Sequence, residues 1–239
     1  MKRAPWRPFL LSGGSVLAKL TFDPQQLPID AIAGEPAVAP ERLTPAWLRQ
    51  RFAGPAPLWA AERRERVLPE REDRAPTPAS VLVPLIQRPH GLTLLLTQRT
   101  AHLTDHPGQI SFPGGRAEAY DADAVDTALR ESEEEIGLAR RHVEVIGSMP
   151  PYLTGTGYCV TPVVGLIAPP FEVAADPSEV EAIFEVPLAF LMDGANHQRL
   201  SMEFGGGRRS FYAMPYEGYY IWGATAGMLR NLFHFLRAE

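Results

Sequence analysis

The chain has 239 residues, of which 45% are hydrophobic and 21% charged, with one cysteine and a net charge of −5. A single cysteine excludes an internal disulfide framework and a cysteine-based metal cage, and the negative charge argues against nucleic-acid or membrane partners. No apolar run approaches the roughly 20 residues that span a bilayer, and prolines interrupt the basic start of the chain. We therefore predict a cytoplasmic location.

Residues 1–77 are predicted to be an N-terminal extension of unknown role. Up to residue 40 the apolar side chains are scattered between prolines and predict no firm element. Thr44-Pro45 is typical of an N-cap followed by the first helical position, which predicts a short helix over residues 46–52. The charge run over residues 62–74 contains both signs, and it is typical of a solvated helix or a linker.

Residues 78–239 have the pattern of a folded domain. Aliphatic and β-branched runs predict strands over residues 80–86, 92–97, 143–146, 159–167, 180–186 and 210–214. Turn residues between the first two strands predict a hairpin, and Pro162 predicts an edge or a bulge in the fourth strand. Apolar residues at helical spacing predict a closing helix over residues 224–236. Together they predict an α/β (α+β) fold whose mixed sheet is covered on both faces.

Another predicted helix carries a cluster of glutamates. Asp123 is suited to cap a helix that ends at Ile136, before a glycine. Glu131, Glu134 and Glu135 are neighbours on its surface, where like charges repel, and the C-terminal end of a helix also disfavours anions. A divalent cation would reverse this repulsion, since Mg²⁺ prefers carboxylate oxygens. The alternative for the glutamates alone is a solvated acidic face.

A glycine pair precedes this helix and makes the metal hypothesis more specific. Gly114 and Gly115 follow a short strand-like run, and glycines adopt backbone conformations that are closed to other residues. A glycine pair by itself marks a plain turn in most proteins. The glycine loop, the helix, the Arg-Glu pair and the Glu-Glu pair together favour a metal site in which a loop carbonyl joins the carboxylates.

This stretch resembles the Nudix box, in which Arg-Glu-U-x-Glu-Glu-x-Gly-U, with U aliphatic, follows an earlier glycine and glutamate. Residues 130–138 read Arg-Glu-Ser-Glu-Glu-Glu-Ile-Gly-Leu, so Ser132 replaces an aliphatic residue. The first half of the box is one residue longer here, which leaves Asp121 or Asp123 in the early acidic role. The resemblance implies a Nudix-type α/β/α sandwich with an N-terminal extension.

Residues 95–115 resemble the additional motif of coenzyme A pyrophosphatases, which leads directly into the box. The likeness to this subgroup extends over roughly residues 78–237. It implies metal-dependent hydrolysis of the diphosphate bond of coenzyme A or a derivative, giving 3′,5′-ADP and 4′-phosphopantetheine. The alternatives are a Nudix hydrolase of ADP-ribose or NADH and a catalytically silent nucleotide-binding module. A homodimer is one option for the assembly of the chain.

By resemblance, Glu131, Glu134 and Glu135 hold Mg²⁺ or Mn²⁺, and the Gly115 carbonyl completes the shell. Arg130 would pair with one of these carboxylates and fix its rotamer. The alternative for Arg130 is a plain surface ion pair with Glu134.

The general base is either a box glutamate, with Glu134 as the candidate, or a later residue. Glu179 and Glu181 lie between a turn and an apolar run, so either would be able to approach the metals. The alternative for these two is a capping or solvated role.

The predicted substrate-binding residues are Arg99, Gln109, Ser111, Gly114 and Tyr158. Arg99 is suited to contact phosphate oxygens, with a structural ion pair as the alternative, and the residues at 109 and 111 would otherwise simply pair in the sheet. His102 and His106 are interpreted as substrate contacts or surface residues. Tyr152, Tyr158 and Trp222 are candidates for stacking on adenine or for filling the core.

Overall fold

The computed structural model describes residues 23–59, 61, 75–101, 108–204 and 207–239. The predicted charge run at 62–74 and both histidines of the 102–106 segment lie outside these ranges. Within them, no helix is both long enough and apolar enough to cross a membrane.

The described residues form twelve strands and four α-helices. The strands are β1 (Ile29–Ile32), β2 (Thr77–Arg88), β3 (Gly91–Arg99), β4 (Ile110–Ser111), β5 (Gly114–Arg116), β6 (Val143–Ser148), β7 (Tyr152–Leu153), β8 (Tyr158–Ile167), β9 (Val180–Pro187), β10 (Gln198–Phe204), β11 (Gly207–Tyr216) and β12 (Tyr219–Trp222). The helices are α1 (Pro45–Ala53), α2 (Ala124–Ile136), α3 (Leu188–Leu191) and α4 (Gly223–Arg237). Short 3-10 turns lie at Pro24–Gln26, Pro40–Leu43, Arg140–His142 and Gly194–Asn196.

Strands β2 to β9 form the main sheet, in the order β4-β3-β2-β8-β6, with β5 also on β2, β7 on β8 and β9 on β3. β2 runs parallel to β8, whereas its pairings with β3 and β5 are antiparallel. The predicted mixed sheet is therefore confirmed. The predicted hairpin is also confirmed, since Arg88 pairs with Gly91 across a two-residue turn.

The two faces of β2 show why this sheet is covered on both sides. Leu82 and Ile86 belong to one hydrophobic cluster with residues of α2. Val83 and Leu85 point the other way and belong to a second cluster that includes α4, as expected from the two-residue period of a strand. Helices on both faces of the sheet give the predicted α/β/α sandwich.

A second sheet, β1-β10-β11-β12, is antiparallel throughout, and only part of β11 was predicted. β1 was missed because all four of its residues are exposed. A strand without a buried face does not need apolar residues at every second position, which is the pattern that would have predicted it. Leu200 and Met202 in β10 do alternate with polar residues, which is a usable strand signal.

Pro162 lies in an interior strand, so the prediction of an edge is wrong. β8 is paired with β2 on one side and with β6 and β7 on the other. The Pro162 carbonyl accepts from the Met149 N–H at 2.8 Å, in the interval between the β7 and β6 pairings. A missing N–H is tolerated there because the neighbouring ladder is interrupted at the same point.

The N-terminal segment packs on the closing helix. Leu48 of α1 is fully buried, and the Arg42 and Arg51 guanidinium groups donate to backbone carbonyls at the C-terminal end of α4. These bonds satisfy carbonyls that the last turn of a helix leaves unpaired, and the positive charges suit that end of the dipole.

A buried ionic network joins the N-terminal segment to α4. Arg230 donates to both carboxylate oxygens of Glu35 at 3.1 and 2.6 Å, to His197 Nδ1 at 2.9 Å and to His234 Nε2 at 2.9 Å. The fully buried His197 also places its Nε2 2.8 Å from the Leu191 carbonyl. Because that nitrogen donates to the carbonyl, Nδ1 is left as an acceptor and the imidazole is neutral.

The contribution of His197 to stability is expected to fall as the pH is lowered, because burial reduces its pKa to about 4 from its ordinary value of 6.5. Between those two values the unfolded chain binds a proton that the folded chain does not, so each pH unit costs at most about 1.4 kcal/mol. Thermal unfolding of the wild type and of His197→Gln, each from pH 7 to pH 4.5, isolates this loss. The glutamine keeps an acceptor for Arg230 but does not titrate, so the wild type should lose stability relative to the variant as the pH falls. An equal change in both proteins would contradict the assignment.

Candidate active site

Helix α2 forms where the sequence places it. Its N-cap, Asp123, accepts from the Asp126 N–H at 2.8 Å, and Gly137 ends it in the left-handed region with φ of 66°. The Ser132 hydroxyl donates to the Ala128 carbonyl at 2.7 Å and is fully buried. A serine is therefore accommodated at an aliphatic position because its hydroxyl is satisfied within the helix.

Arg130 is the centre of the ionic arrangement on α2. Its Nε and Nη2 bind the two carboxylate oxygens of Asp121 at 2.8 and 2.9 Å. Nη2 also donates to the Arg116 carbonyl at 3.1 Å, and Nη1 donates to Glu131 at 2.9 Å and Glu134 at 3.0 Å. All five N–H groups of the guanidinium are thus used, which goes well beyond the alternative of a plain surface pair.

The structure distinguishes the two acidic residues proposed for the first half of the box. Asp121 pairs with Arg130, and this bond holds the pKa of the Asp121 carboxyl well below its ordinary value. Asp123 caps the helix instead. Asp121 therefore occupies the acidic position next to the arginine.

Both glycines of the loop are required by close approaches. Gly114 has φ of 151°, and an added Cβ would lie 2.5 Å from the Ser80 carbonyl oxygen. A Cβ at Gly115 would lie 2.6 Å from the Glu131 carboxylate. The Gly114 N–H donates to Glu135 Oε2 at 3.1 Å. The loop backbone is thereby held directly against two of the three predicted metal ligands.

The three glutamates differ in their surroundings. The Glu135 side chain is 5% exposed, and burial raises its pKa to about 8, although the Gly114 N–H and Arg99 oppose that rise. Burial also raises the pKa of Glu131, with further contributions from Glu134 and Glu179, whereas Arg130 opposes that rise. Glu179 and Glu131 add to the rise in the pKa of Glu135. Glu134 is more open, with 59% of its side chain exposed.

This donor set fits a divalent cation in its chemistry. Buried carboxylates that repel one another are stabilised in the charged form by a cation between them, and a glycine loop without Cβ atoms leaves room at that point. In the described part of the chain, however, no three acidic, histidine or cysteine side chains already converge on one point. Arg130 holds Glu131 and Glu134, so these two have to turn from the arginine for a shared ion.

Of the two later glutamates, Glu179 is the one that the fold brings to this cluster. Its carbonyl accepts from the Thr100 N–H at 3.0 Å, at the end of β3, and the Asp176 N–H bonds to the Glu135 carbonyl at 2.8 Å. Its exposed carboxylate is close enough to raise the pKa of both Glu131 and Glu135. Glu181 lies within β9 and is exposed.

The predicted substrate-binding residues are distributed around this cluster. Arg99 Nη1 lies 3.8 Å from Glu135 Oε1, and its side chain is partly exposed. The Gln109 carbonyl accepts from the Arg99 N–H at 2.9 Å, and the Ser111 hydroxyl lies 3.1 Å from the Thr97 hydroxyl. Both residues thus engage the sheet, as the alternative interpretation proposed.

The aromatic candidates for adenine stacking are separated by the fold. Tyr152 is buried in the core, so stacking on a ligand is wrong for this residue. Tyr158 begins β8 opposite Thr77 and is exposed. Trp222 is partly buried, with Phe211 5.5 Å from it between ring centroids. Tyr120 was not predicted from the sequence, although its ring lies beside Arg130 and is exposed.

Comparison with known proteins supports one family. A model of the NUDIX domain matches residues 76–201. A relative from Escherichia coli K12, named an uncharacterized Nudix hydrolase, NudL, is 46% identical over 154 residues, which are 64% of this chain and 80% of the relative. NudL of Shigella boydii serotype 18 is 45% identical over the same shares. A solved Ap4A hydrolase complex from C. elegans aligns over 46% of this chain and 80% of its own, with a TM-score of 0.41 and 18% identity.

The chain belongs to the Nudix family. The predicted fold class is confirmed, and the protein is a pyrophosphohydrolase of the class that acts on nucleoside diphosphate derivatives. Nudix hydrolases generally use divalent metal ions such as Mg²⁺ or Mn²⁺.

Proposed function

We propose that this protein hydrolyses the diphosphate bond of coenzyme A or its derivatives, giving 3′,5′-ADP and 4′-phosphopantetheine. The observation that supports this proposal is where the coenzyme A-type motif lies. Residues 95–115 supply Arg99, which is 3.8 Å from Glu135, and Gly114, whose N–H donates to the same carboxylate. These two residues of the motif therefore lie beside the acidic helix.

In the proposed site, Glu131, Glu134, Glu135 and the Gly115 carbonyl would hold Mg²⁺ or Mn²⁺. Such an ion supplies neutralisation of the diphosphate charge and lowers the pKa of bound water. Arg130 fixes the positions of Glu131 and Glu134 before binding. The partly exposed Arg99 guanidinium can donate two parallel hydrogen bonds to phosphate oxygens.

The reaction transfers one phosphoryl group to water. A water oxygen forms a bond to one phosphorus, the bond from that phosphorus to the bridging oxygen breaks, and the other phosphate leaves with the bridging oxygen. We assign Glu179 as the group that accepts the water proton, because its carboxylate is exposed and lies near Glu131 and Glu135. Glu134 and Glu181 are the other candidates.

Product analysis with coenzyme A, ADP-ribose and NADH in Mg²⁺ tests the substrate. We expect coenzyme A to be cleaved to 3′,5′-ADP and 4′-phosphopantetheine, with much slower cleavage of the other two. Hydrolysis in ¹⁸O-labelled water also identifies which phosphorus the water attacks, because the label enters only one of the two products. Faster cleavage of ADP-ribose or NADH would replace coenzyme A as the substrate. Binding of all three without products would indicate a silent module.

A further inference from the structure

Tyr120 is an exposed aromatic residue fixed beside the acidic cluster. Its side chain is 72% exposed, in the polar loop between β5 and α2. The loop is held by a turn in which the Asp121 N–H donates to the Glu118 carbonyl at 3.1 Å. The Glu118 N–H in turn donates to Asp121 Oδ2 at 2.9 Å. An exposed ring in a braced loop is not explained by core packing.

The ring is oriented by Arg130. The guanidinium carbon of Arg130 lies over the Tyr120 ring, 5.6 Å from its centroid, which is within the range of a cation–π contact. The five N–H groups of Arg130 point outward in its plane, to Asp121, the Arg116 carbonyl, Glu131 and Glu134. Its contact with the tyrosine therefore uses a face, and it occupies only one side of the ring.

The ring is linked to the predicted metal ligands through Arg130. The guanidinium that contacts the Tyr120 ring also donates from Nη1 to Glu131 at 2.9 Å and to Glu134 at 3.0 Å. One side chain thus separates the predicted metal ligands from the ring. In a nucleoside diphosphate, the base is likewise joined to the diphosphate by a single sugar.

We propose that the outer face of Tyr120 is a stacking platform for the nucleobase of the substrate. This inference rests on the proposed function in requiring a substrate with an adenine-type base next to the diphosphate. Stacking of a base on an aromatic side chain is tolerant of base identity, because every base has a π-face. Tyr120 would therefore favour nucleotides over other diphosphates without selecting one base.

Other aromatic residues of the described chain are less suited to this role. The rings of Phe184 and Tyr219 stack on each other, with centroids 3.6 Å apart, and Tyr152 is buried. Tyr158 is exposed, at 38%, and it provides the matched comparison because the sequence singled it out.

Titration calorimetry in Mg²⁺ with two probes, ADP and inorganic pyrophosphate, tests the platform. Tyr120→Ala is expected to weaken ADP binding by at least about fivefold, the lower end for loss of one stacked base, and to leave pyrophosphate binding unchanged. Tyr120→Phe, which keeps the π-face, should bind both probes as the wild type does. With coenzyme A as substrate, the alanine variant should show a raised KM and an unchanged kcat.

Several outcomes would overturn the platform. An equal loss of affinity for ADP and for pyrophosphate would mean that the ring only shields Arg130. An unchanged ADP affinity in Tyr120→Ala would show that the base does not stack on this ring. The same conclusion would follow if the wild type did not bind ADP. A loss confined to Tyr158→Ala would move the base to β8. Failure of the proposed function is distinguishable, because a wild-type protein that does not cleave coenzyme A would still show the Tyr120-dependent difference between ADP and pyrophosphate.

Discussion

Replacing Glu135 by glutamine is expected to reduce hydrolysis by on the order of a thousandfold, since it removes a charged ligand from a site whose electrostatics carry the reaction. The substitution keeps the shape of the side chain and the oxygen that accepts from the Gly114 N–H at 3.1 Å. The effect should therefore fall on kcat/KM with Mg²⁺ or Mn²⁺, and not on the fold.

The stability of Glu135→Gln should also differ from that of the wild type, because the Glu135 carboxyl is buried. Burial raises the pKa of Glu135 to about 8 from an ordinary value of 4.5. A protein that contains such a carboxyl loses stability as the pH rises from about 4.5 to about 8. In this range the unfolded chain has already lost the proton that the folded protein still holds. Without metal, the glutamine variant should therefore gain in Tm relative to the wild type between pH 5 and pH 8.

Thermal unfolding with and without Mg²⁺ measures both effects. Mg²⁺ should raise the Tm of the wild type, as any ligand of the folded state does, and should have much less effect on Glu135→Gln. Glu133→Gln is the matched control, since Glu133 lies on the same helix but pairs with Arg140 at the surface. Wild-type turnover in Glu135→Gln would remove this residue from the proposed metal ligands.

Replacing Arg130 by methionine is expected to destabilise the domain by about 3–5 kcal/mol, the usual cost of removing one partner from a buried ion pair. The side chains of Arg130 and Asp121 are 13% and 3% exposed, so Asp121 would be left as a buried charge without a cation. For a chain of this size the expected fall in Tm is roughly 10 °C. Activity should also fall, because the loop next to Gly115 loses the arginine that holds it to α2 through Asp121 and the Arg116 carbonyl.

A surface arginine in the turn after α2 supplies the control. Arg140 also pairs with two carboxylates, Asp126 and Glu133, but about half of its side chain is exposed. Exposed pairs contribute at most about 1 kcal/mol, so Arg140→Met should change Tm little. The double variant Arg130→Met with Asp121→Asn should be less destabilised than the sum of its single variants. Additive costs would show that the two side chains do not stabilise each other.

The sequence by itself determined the acidic helix and the longer strands of the main sheet. The helix limits were readable because an N-cap at Asp123 and a glycine at 137 act through local backbone geometry. The β2–β3 hairpin was readable for the same reason, from turn residues between two apolar runs. The resemblance of residues 130–138 to the Nudix box also gave the candidate metal ligands and the enzyme class.

Only the tertiary structure decided which of the candidates meet. Asp121 rather than Asp123 pairs with Arg130, Glu179 rather than Glu181 approaches the buried carboxylates, and Tyr120 lies on the arginine. The strand β1 and the Arg230–Glu35 pair, 195 residues apart, likewise join distant parts of the chain. Local patterns report neighbours within a few positions, whereas these contacts depend on loop paths and on which face of an element is buried. Burial, in turn, shifts the pKa values of Glu135 and His197, which no local pattern records.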